Sequence, residues 1–202
     1  MDLDTIRSNV RLRLGLNASD PALTDADLAV MVNSALRQAD NMRNWWWNEA
    51  SRTFSTAIGT STYARSASSR KSLYMAIGDQ HVPFRTKLDL IKYADTEGRP
   101  AYWTDEGGLI KFYPTPDDVF TVTEVYQAAT TDLSAGTDTP LWPDWAVDLI
   151  VLLTAQIAAA KVDPQLAQVL SQEMSRIYEA IKDETHPVAE GALPKRRTDW
   201  RP

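Results

Sequence analysis

Ala101-Tyr102-Trp103-Thr104-Asp105-Glu106-Gly107-Gly108-Leu109-Ile110-Lys111-Phe112-Tyr113 is the stretch that decides the fold. Two runs of β-type residues flank a glycine pair, and glycine supplies the positive φ angles that a tight hairpin needs. The stretch predicts an antiparallel hairpin with Asp105, Glu106, Gly107 and Gly108 at its tip. Downstream, 119–127 predicts a third strand in a meander. Upstream, the chain from 54 onward is rich in Thr, Tyr, Val, Ile and Phe, punctuated by Gly59, Gly78, Pro83, Gly98 and Pro100. A β lobe is therefore expected over 51–130. Within it, 59–72 has no large apolar side chain beyond Tyr63 and predicts a mobile loop.

On either side of the lobe the hydrophobic period changes from 2 to 3.6. Leu3, Ile6, Val10 and Leu14 predict a helix over 2–14, stopped by Gly15, with Arg7, Arg11 and Arg13 on a solvated face. Thr24 offers an N-cap, and Leu28, Met31, Ala35, Leu36, Ala39 and Met42 form one stripe of a helix reaching about Trp45. Pro143 suits a helix's first turn, and Trp145, Val147, Ile150, Val151, Thr154, Ile157 and Ala158 leave so little polar surface that this helix belongs in the core. The apolar run 145–160 contains Asp148 and Gln156 and is shorter than the roughly 20 residues that cross a bilayer. Asp163-Pro164 starts a further helix, carrying Leu166, Val169, Leu170, Met174, Ile177, Tyr178 and Ile181, and the short break predicts an antiparallel helical hairpin. The expected fold class is mainly α with an inserted antiparallel β lobe. A helical bundle is expected from both chain ends, 1–50 and 140–184, with 185–202 as a disordered or extended C-terminal arm.

The chain has 202 residues, 44% hydrophobic and 24% charged, the composition of an ordinary globular protein with one core and room for an inserted lobe. With no cysteine it has neither thiolate nucleophiles nor Cys-based zinc sites. Met1-Asp2-Leu3-Asp4 lacks the build of a signal peptide, so synthesis in the cytoplasm is expected. Net charge is −6, against a protein that grips nucleic-acid phosphates. The charge is uneven: Lys195, Arg196, Arg197 and Arg201 against Glu190 and Asp199 give the last 18 residues +2, leaving −8 on 1–184.

Catalytic signatures are missing: no nucleophile elbow, phosphate loop, dinucleotide fingerprint or zinc-binding His pair is present. His186 precedes Pro187 in the arm, and His81 reads as a strand-end residue. The acidic pairs Asp95-Glu97, Asp105-Glu106 and Asp117-Asp118 each adjoin Gly or Pro and read as turn chemistry. No catalytic, cofactor-binding or metal-binding residue is assigned, and no cofactor is expected. The aromatic residues carry more information. Three consecutive indoles, Trp45 to Trp47, spread over about 200° of a helix and so predict contact with more than one surface, either the junction of body and lobe or a subunit interface. Trp142 and Trp145 are expected to pin the start of the core helix.

The strand Leu109-Ile110-Lys111-Phe112-Tyr113 ends in Pro114-Thr115-Pro116. The Val/Tyr-rich run Phe120-Thr121-Val122-Thr123-Glu124-Val125-Tyr126 follows, and Asp138-Thr139-Pro140-Leu141-Trp142-Pro143-Asp144-Trp145 leads into the helix beginning Ala146-Val147-Asp148. In this order the chain resembles, over 15–182, the head-to-tail adaptor (connector) proteins of tailed bacteriophages. The resemblance implies a non-enzymatic virion protein at the head-tail interface. It implies a homo-oligomeric ring, usually twelve-fold, docked beneath the portal protein, with a downstream tail or stopper protein as second neighbour. DNA only passes through the lumen, and no membrane is involved. An acidic body suits such a conduit, since a negative wall repels DNA phosphates. The arm then docks through Lys195, Arg196, Arg197 and Arg201 with Trp200 as anchor, and the tip Asp105 to Gly108 becomes covered on assembly. Alternatives are a stopper or tail-terminator subunit, and a carbohydrate-binding or hydrolytic module using Tyr102, Trp103 and Tyr113 beside Asp105 and Glu106.

Overall fold

Asp2 and Thr24 set the starts of the first two helices in the structure, a computed structural model that describes residues 1–17, 20–93 and 96–184. The Asp2 carboxylate accepts from Thr5 N (2.8 Å), opening α1 (Leu3–Arg13). Two further N–H groups of its first turn reach a distant loop, Leu3 N donating to Asp138 O (2.9 Å) and Asp4 N to Gly136 O (3.0 Å). A Cβ at 136 would lie 2.1 Å from the Asp4 carboxylate, so any larger residue there would have to push that exposed side chain aside. Thr24 and Asp27 form a reciprocal capping box at the head of α2 (Asp25–Met42).

The described residues hold five helices and two antiparallel sheets, so the chain is mixed α and β, where a mainly α chain was expected. By its contacts it divides into two compact units, one combining Met1–Asn48 with the segment from Ala129 to the end of the last helix, the other spanning Glu49–Ala128.

In the helical unit, α4 (Asp144–Val162) packs on α1, α2 and α5 (Pro164–Glu184). α3 (Lys87–Leu90) is a short helix of the other unit. At 19 residues α4 is long and apolar enough to cross a membrane, but its buried residues, Ala146, Val147, Leu149 to Ala155, Ala158 and Ala159, make it the centre of the unit's core. Asp163 alone separates α4 from α5, and its carboxylate caps the new helix by accepting from Gln165 N and Leu166 N (3.0 and 3.2 Å). The arginine face expected to be solvated on α1 is instead paired: Arg11 is buried, with Nη2 2.7 Å from Asp25 and donating to Leu23 O, and Arg13 meets Glu173 at 2.8 Å. α2 also ends at Met42, before the expected end at about Trp45. Arg43 is extended, and Trp45 Nε1 donates to Ala39 O (2.8 Å), satisfying a carbonyl of the last turn.

The β unit contains β1 (Glu49–Ser55), β2 (Thr62–Ala64), β3 (Ser69–Ile77), β4 (Gln80–Val82), the short α3 (Lys87–Leu90), β5 (Tyr102–Glu106), β6 (Leu109–Tyr113) and β7 (Thr121–Ala128). One sheet has the order β1-β7-β3-β4 and the other β2-β6-β5. The hairpin stands where it was predicted, with β5 and β6 joined by Gly107 and Gly108 at φ +64° and +88°. The meander does not. β7 leaves the hairpin's sheet and lies between β1 and β3, in register Glu49 to Gln127 and Ile77 to Val122. Pro114 and Pro116 have no N–H to donate, so β6 cannot run on into a continuous ladder. The expected loop 59–72 is likewise corrected, for it holds β2 and the start of β3.

Met75, Ile77, Val82 and Val122 from the first sheet pack with Trp103, Ile110 and Phe112 from the second. A parallel bridge from Phe84 to Trp103 continues the β4 side onto β5. One charge is fully buried here. Glu124 shares its strand face with Val122 and Tyr126, accepts from Arg52 Nε (2.6 Å) and from the Ser72 hydroxyl, and so ties β1, β7 and β3 together.

Candidate functional site

The three consecutive tryptophans come together with Trp142 and Trp145 inside the helical unit. Trp45 is fully buried and stacks on Trp47 with centroids 4.8 Å apart and planes 13° from parallel. Trp142 meets both edge-on, at 5.2 and 5.1 Å, and Tyr178 of α5 closes on Trp45 at 6.3 Å. Trp46 and Trp145 sit at the rim, each edge-on to Trp47 at 5.6 Å. Such ring pairs add about 0.5–1.5 kcal/mol each beyond the area they bury.

The cluster exists because α2 stops at Met42 and residues Trp46–Asn48 turn in a 3-10 helix, which sends successive indoles inward, outward and inward again. Its polar support is Asp40, a buried carboxylate on the last turns of α2. Asp40 accepts from Asn48 Nδ2 (2.7 Å), Trp142 Nε1 (3.3 Å) and Thr130 N (3.2 Å). The sequence reading passed over Asp40, although it follows Leu36 by four residues and so shares the buried face of α2. Trp46 and Trp145 are each about half exposed, so this stack presents two indole faces to solvent from a rigid base. Trp142 is buried at the start of α4, whereas Trp145 only partly serves the pinning role expected of it.

The hairpin residues occupy a second place, in the β unit. Asp105 and Glu106 are the last residues of β5, and the turn itself is only Gly107 and Gly108. Asp105 accepts from Gly108 N (3.0 Å) and pairs with Arg65 (3.1 Å), whose Nε also donates to Gly108 O (3.1 Å). Glu106 accepts from the Tyr113 hydroxyl (3.1 Å) and lies 3.5 Å from Lys87. Lys111 is held protonated above its usual 10.5, first by hydrogen bonding to Tyr113 and also by the Glu106 charge. Both carboxylates are thus paired within the lobe, and the exposed residues of the tip are Asp105, Gly107 and the neighbouring Leu109. Arg65 was not singled out in the sequence. Its only signal there was a lone arginine between Ala64 and Ser66.

Trp200, Lys195, Arg196, Arg197 and Arg201 lie outside the described residues, as do His186 and Asp95. His81 stacks on Tyr74 (4.6 Å, 4°) in an exposed position on β4. Among the described residues no group of three or more His, Cys, Asp or Glu could hold a metal ion. The arrangement offers contact surfaces, two indole faces on one unit and a braced hairpin on the other. A family model described as SU10 adaptor protein matches residues 1–196. No curated protein matches the chain.

Proposed function

The chain belongs to the SU10 adaptor protein family, a family of phage head-tail adaptors and hence of virion components of the head-tail region, and on that premise we propose that it forms a ring docked on the portal, through whose lumen DNA passes. In this reading the copies number twelve, as in the proteins it resembles. A helical bundle from the two chain ends forms the body, and a tail or stopper protein docks below. The work is done by surfaces instead of by a reaction. The observation that carries the docking part is the pair of half-exposed indoles, Trp46 and Trp145, on a base stiffened by Trp45, Trp47 and Trp142. Tryptophan is among the residues enriched at interface hot spots, and on a preorganised base little entropy is lost when a partner covers it.

Two further surfaces belong to the reading. The basic segment 185–202 docks into an acidic groove through Lys195, Arg196, Arg197 and Arg201, with Trp200 filling an apolar pocket. The tip from Asp105 to Gly108 faces a neighbour in the assembled particle. The acidic balance of 1–184 supports the conduit, since a negative lumen keeps the duplex sliding. Mass photometry of the chain mixed with its portal tests the proposal. A complex heavier than the portal by many copies of the 22.6 kDa chain is expected. A portal whose mass is unchanged at micromolar chain concentrations would refute it.

A further inference from the structure

Two exposed apolar patches of the β unit take no part in the surfaces described so far, and they differ in charge. The first is a ridge over 84–93. Phe84, Leu88 and Ile91 recur at spacings of four and three, and Leu88 and Ile91 are 83% and 72% exposed while Leu90 between them is buried. The ridge is firmly based: Phe84 packs edge-on against Trp103 (4.9 Å), and Tyr93 lies on Tyr102 (5.4 Å). Its own charges are Arg85, Lys87 and Lys92 against Asp89, a net +2 in a chain of net −6, and Glu106, 3.5 Å from Lys87, is balanced by Lys111 at 3.9 Å.

The second patch is Ile58 with Val119, 67% and 60% exposed. The β1–β2 and β6–β7 connections that carry them are held together by Gly59 N donating to Pro116 O (2.9 Å) and the Thr56 hydroxyl donating to Asp118 O (3.1 Å). Asp117 and Asp118, both exposed, give this patch −2. Arg99, a cation from another segment, sits over the Phe120 ring at 5.9 Å and donates to Ile77 O (3.2 Å). The patches belong to opposite edges of the β2-β6-β5 sheet, for Phe84 bridges to β5 and Ile58 lies in the connection entering β2.

Single exposed apolar residues are ordinary, but a cluster with its own charge sign marks a contact. If two copies met by a two-fold axis through either patch, like charges would face each other. Translated head to tail, the basic ridge of one copy meets the acidic patch of the next, with apolar residues at the centre of both and opposite charges around them. We propose that the ridge Phe84, Leu88, Ile91 docks on Ile58 and Val119 of a second copy of this chain, so that the β unit carries both halves of a heterologous subunit interface. This rests on the ring reading, because a heterologous contact is the kind that closes into a ring.

The chain has no cysteine, which makes the test direct. The variant carrying both Leu88→Cys and Val119→Cys is incubated with the portal and treated with a short bismaleimide, while mass photometry of the same sample counts rings. A ladder of covalent oligomers is expected from the double variant. A 1:1 mixture of the two single variants is expected to give dimers, and either single variant alone none. Efficient dimers from Leu88→Cys alone would show like meeting like and overturn the proposal. Rings without 88–119 crosslinks would overturn this assignment of the interface and leave the ring reading standing, whereas absence of rings from the wild type would overturn both. Charge reversal gives an independent arm that does not depend on crosslinking. Lys87→Glu with Lys92→Glu, or Asp117→Lys with Asp118→Lys, is expected to weaken association at least tenfold. An equal mixture of the two reversed proteins is expected to restore it, because every contact then pairs opposite charges again. Failure of the mixture to recover, with both variants folded, would count against the pairing.

Discussion

Asp40→Ala is expected to destabilise the helical unit by roughly 3–5 kcal/mol. The carboxylate accepts three hydrogen bonds, of which those from Asn48 and Trp142 are buried and that from Thr130 is partly so. Each buried donor left without an acceptor costs about 1–3 kcal/mol, and a partly buried one less. The three donors share one acceptor group, so the losses do not add in full. For a chain of this size, about 2–4 °C of melting temperature per kcal/mol turns the loss into a fall of roughly 6–20 °C. Asp40→Asn keeps one carbonyl oxygen for Asn48 or Trp142 and is expected to lose about half as much. Thermal unfolding followed by tryptophan fluorescence reads both the midpoint and the environment of the cluster, since Trp142 rests on Trp45 and Trp47. Portal binding measured well below the melting point would also weaken, because Trp46 and Trp145 are positioned through Trp47. A melting temperature of Asp40→Ala within about 1 °C of wild type would refute the role given to this carboxylate.

Glu124→Ala strands Arg52 and Ser72 in the β unit and is expected to cost roughly 3–5 kcal/mol in urea unfolding, with the Arg52→Ala/Glu124→Ala pair losing less than the sum of the single variants. Acid is expected to loosen the helical unit. The Thr5 interactions of Asp2, the Arg11 guanidinium beside Asp25, the Thr24 bonds to Asp27 and the Ser134 and Ala135 N–H groups on Asp138 all hold these carboxyls below 3.8. Folded values below unfolded ones mean that their contribution is complete above about pH 4 and is lost as pH falls through the folded values. Melting scans from pH 5 to pH 2 are expected to show this loss, with a shallower slope for Asp138→Asn. Deleting 185–202 is expected to leave thermal unfolding nearly unchanged while weakening portal attachment, and Trp200→Ala to remove about 2 kcal/mol or more of that affinity by titration.

The hairpin at 101–113 was legible because its information is local: a glycine pair with positive φ between two β-type runs admits few other readings. The partner of 121–128 was not, since periodicity says which residues share a face but not which distant strand they meet, and β7 chose β1 and β3. The segment 59–72 read as loop because its order comes from outside it, from Ile110 beside Tyr63 and from the Arg65 guanidinium reaching Asp105 and Gly108. Helix starts at Asp2, Thr24 and Asp163 were marked by capping side chains, whereas the end of α2 was decided by a tertiary bond, Trp45 to Ala39. Arg11 and Asp40 were missed for one reason. Both are charged residues at buried helix positions, and sequence alone does not reveal the partners, Asp25 for one and Asn48 with Trp142 for the other, that make burial tolerable.

Electron cryomicroscopy of the neck of the intact particle tests the central claim most directly. A closed ring of copies of this chain is expected between portal and tail, with Trp46 and Trp145 covered by a neighbouring protein and an open lumen wide enough for duplex DNA. A neck whose density is fully explained without this chain, or a chain bound there as isolated copies with both indoles in solvent, would contradict it.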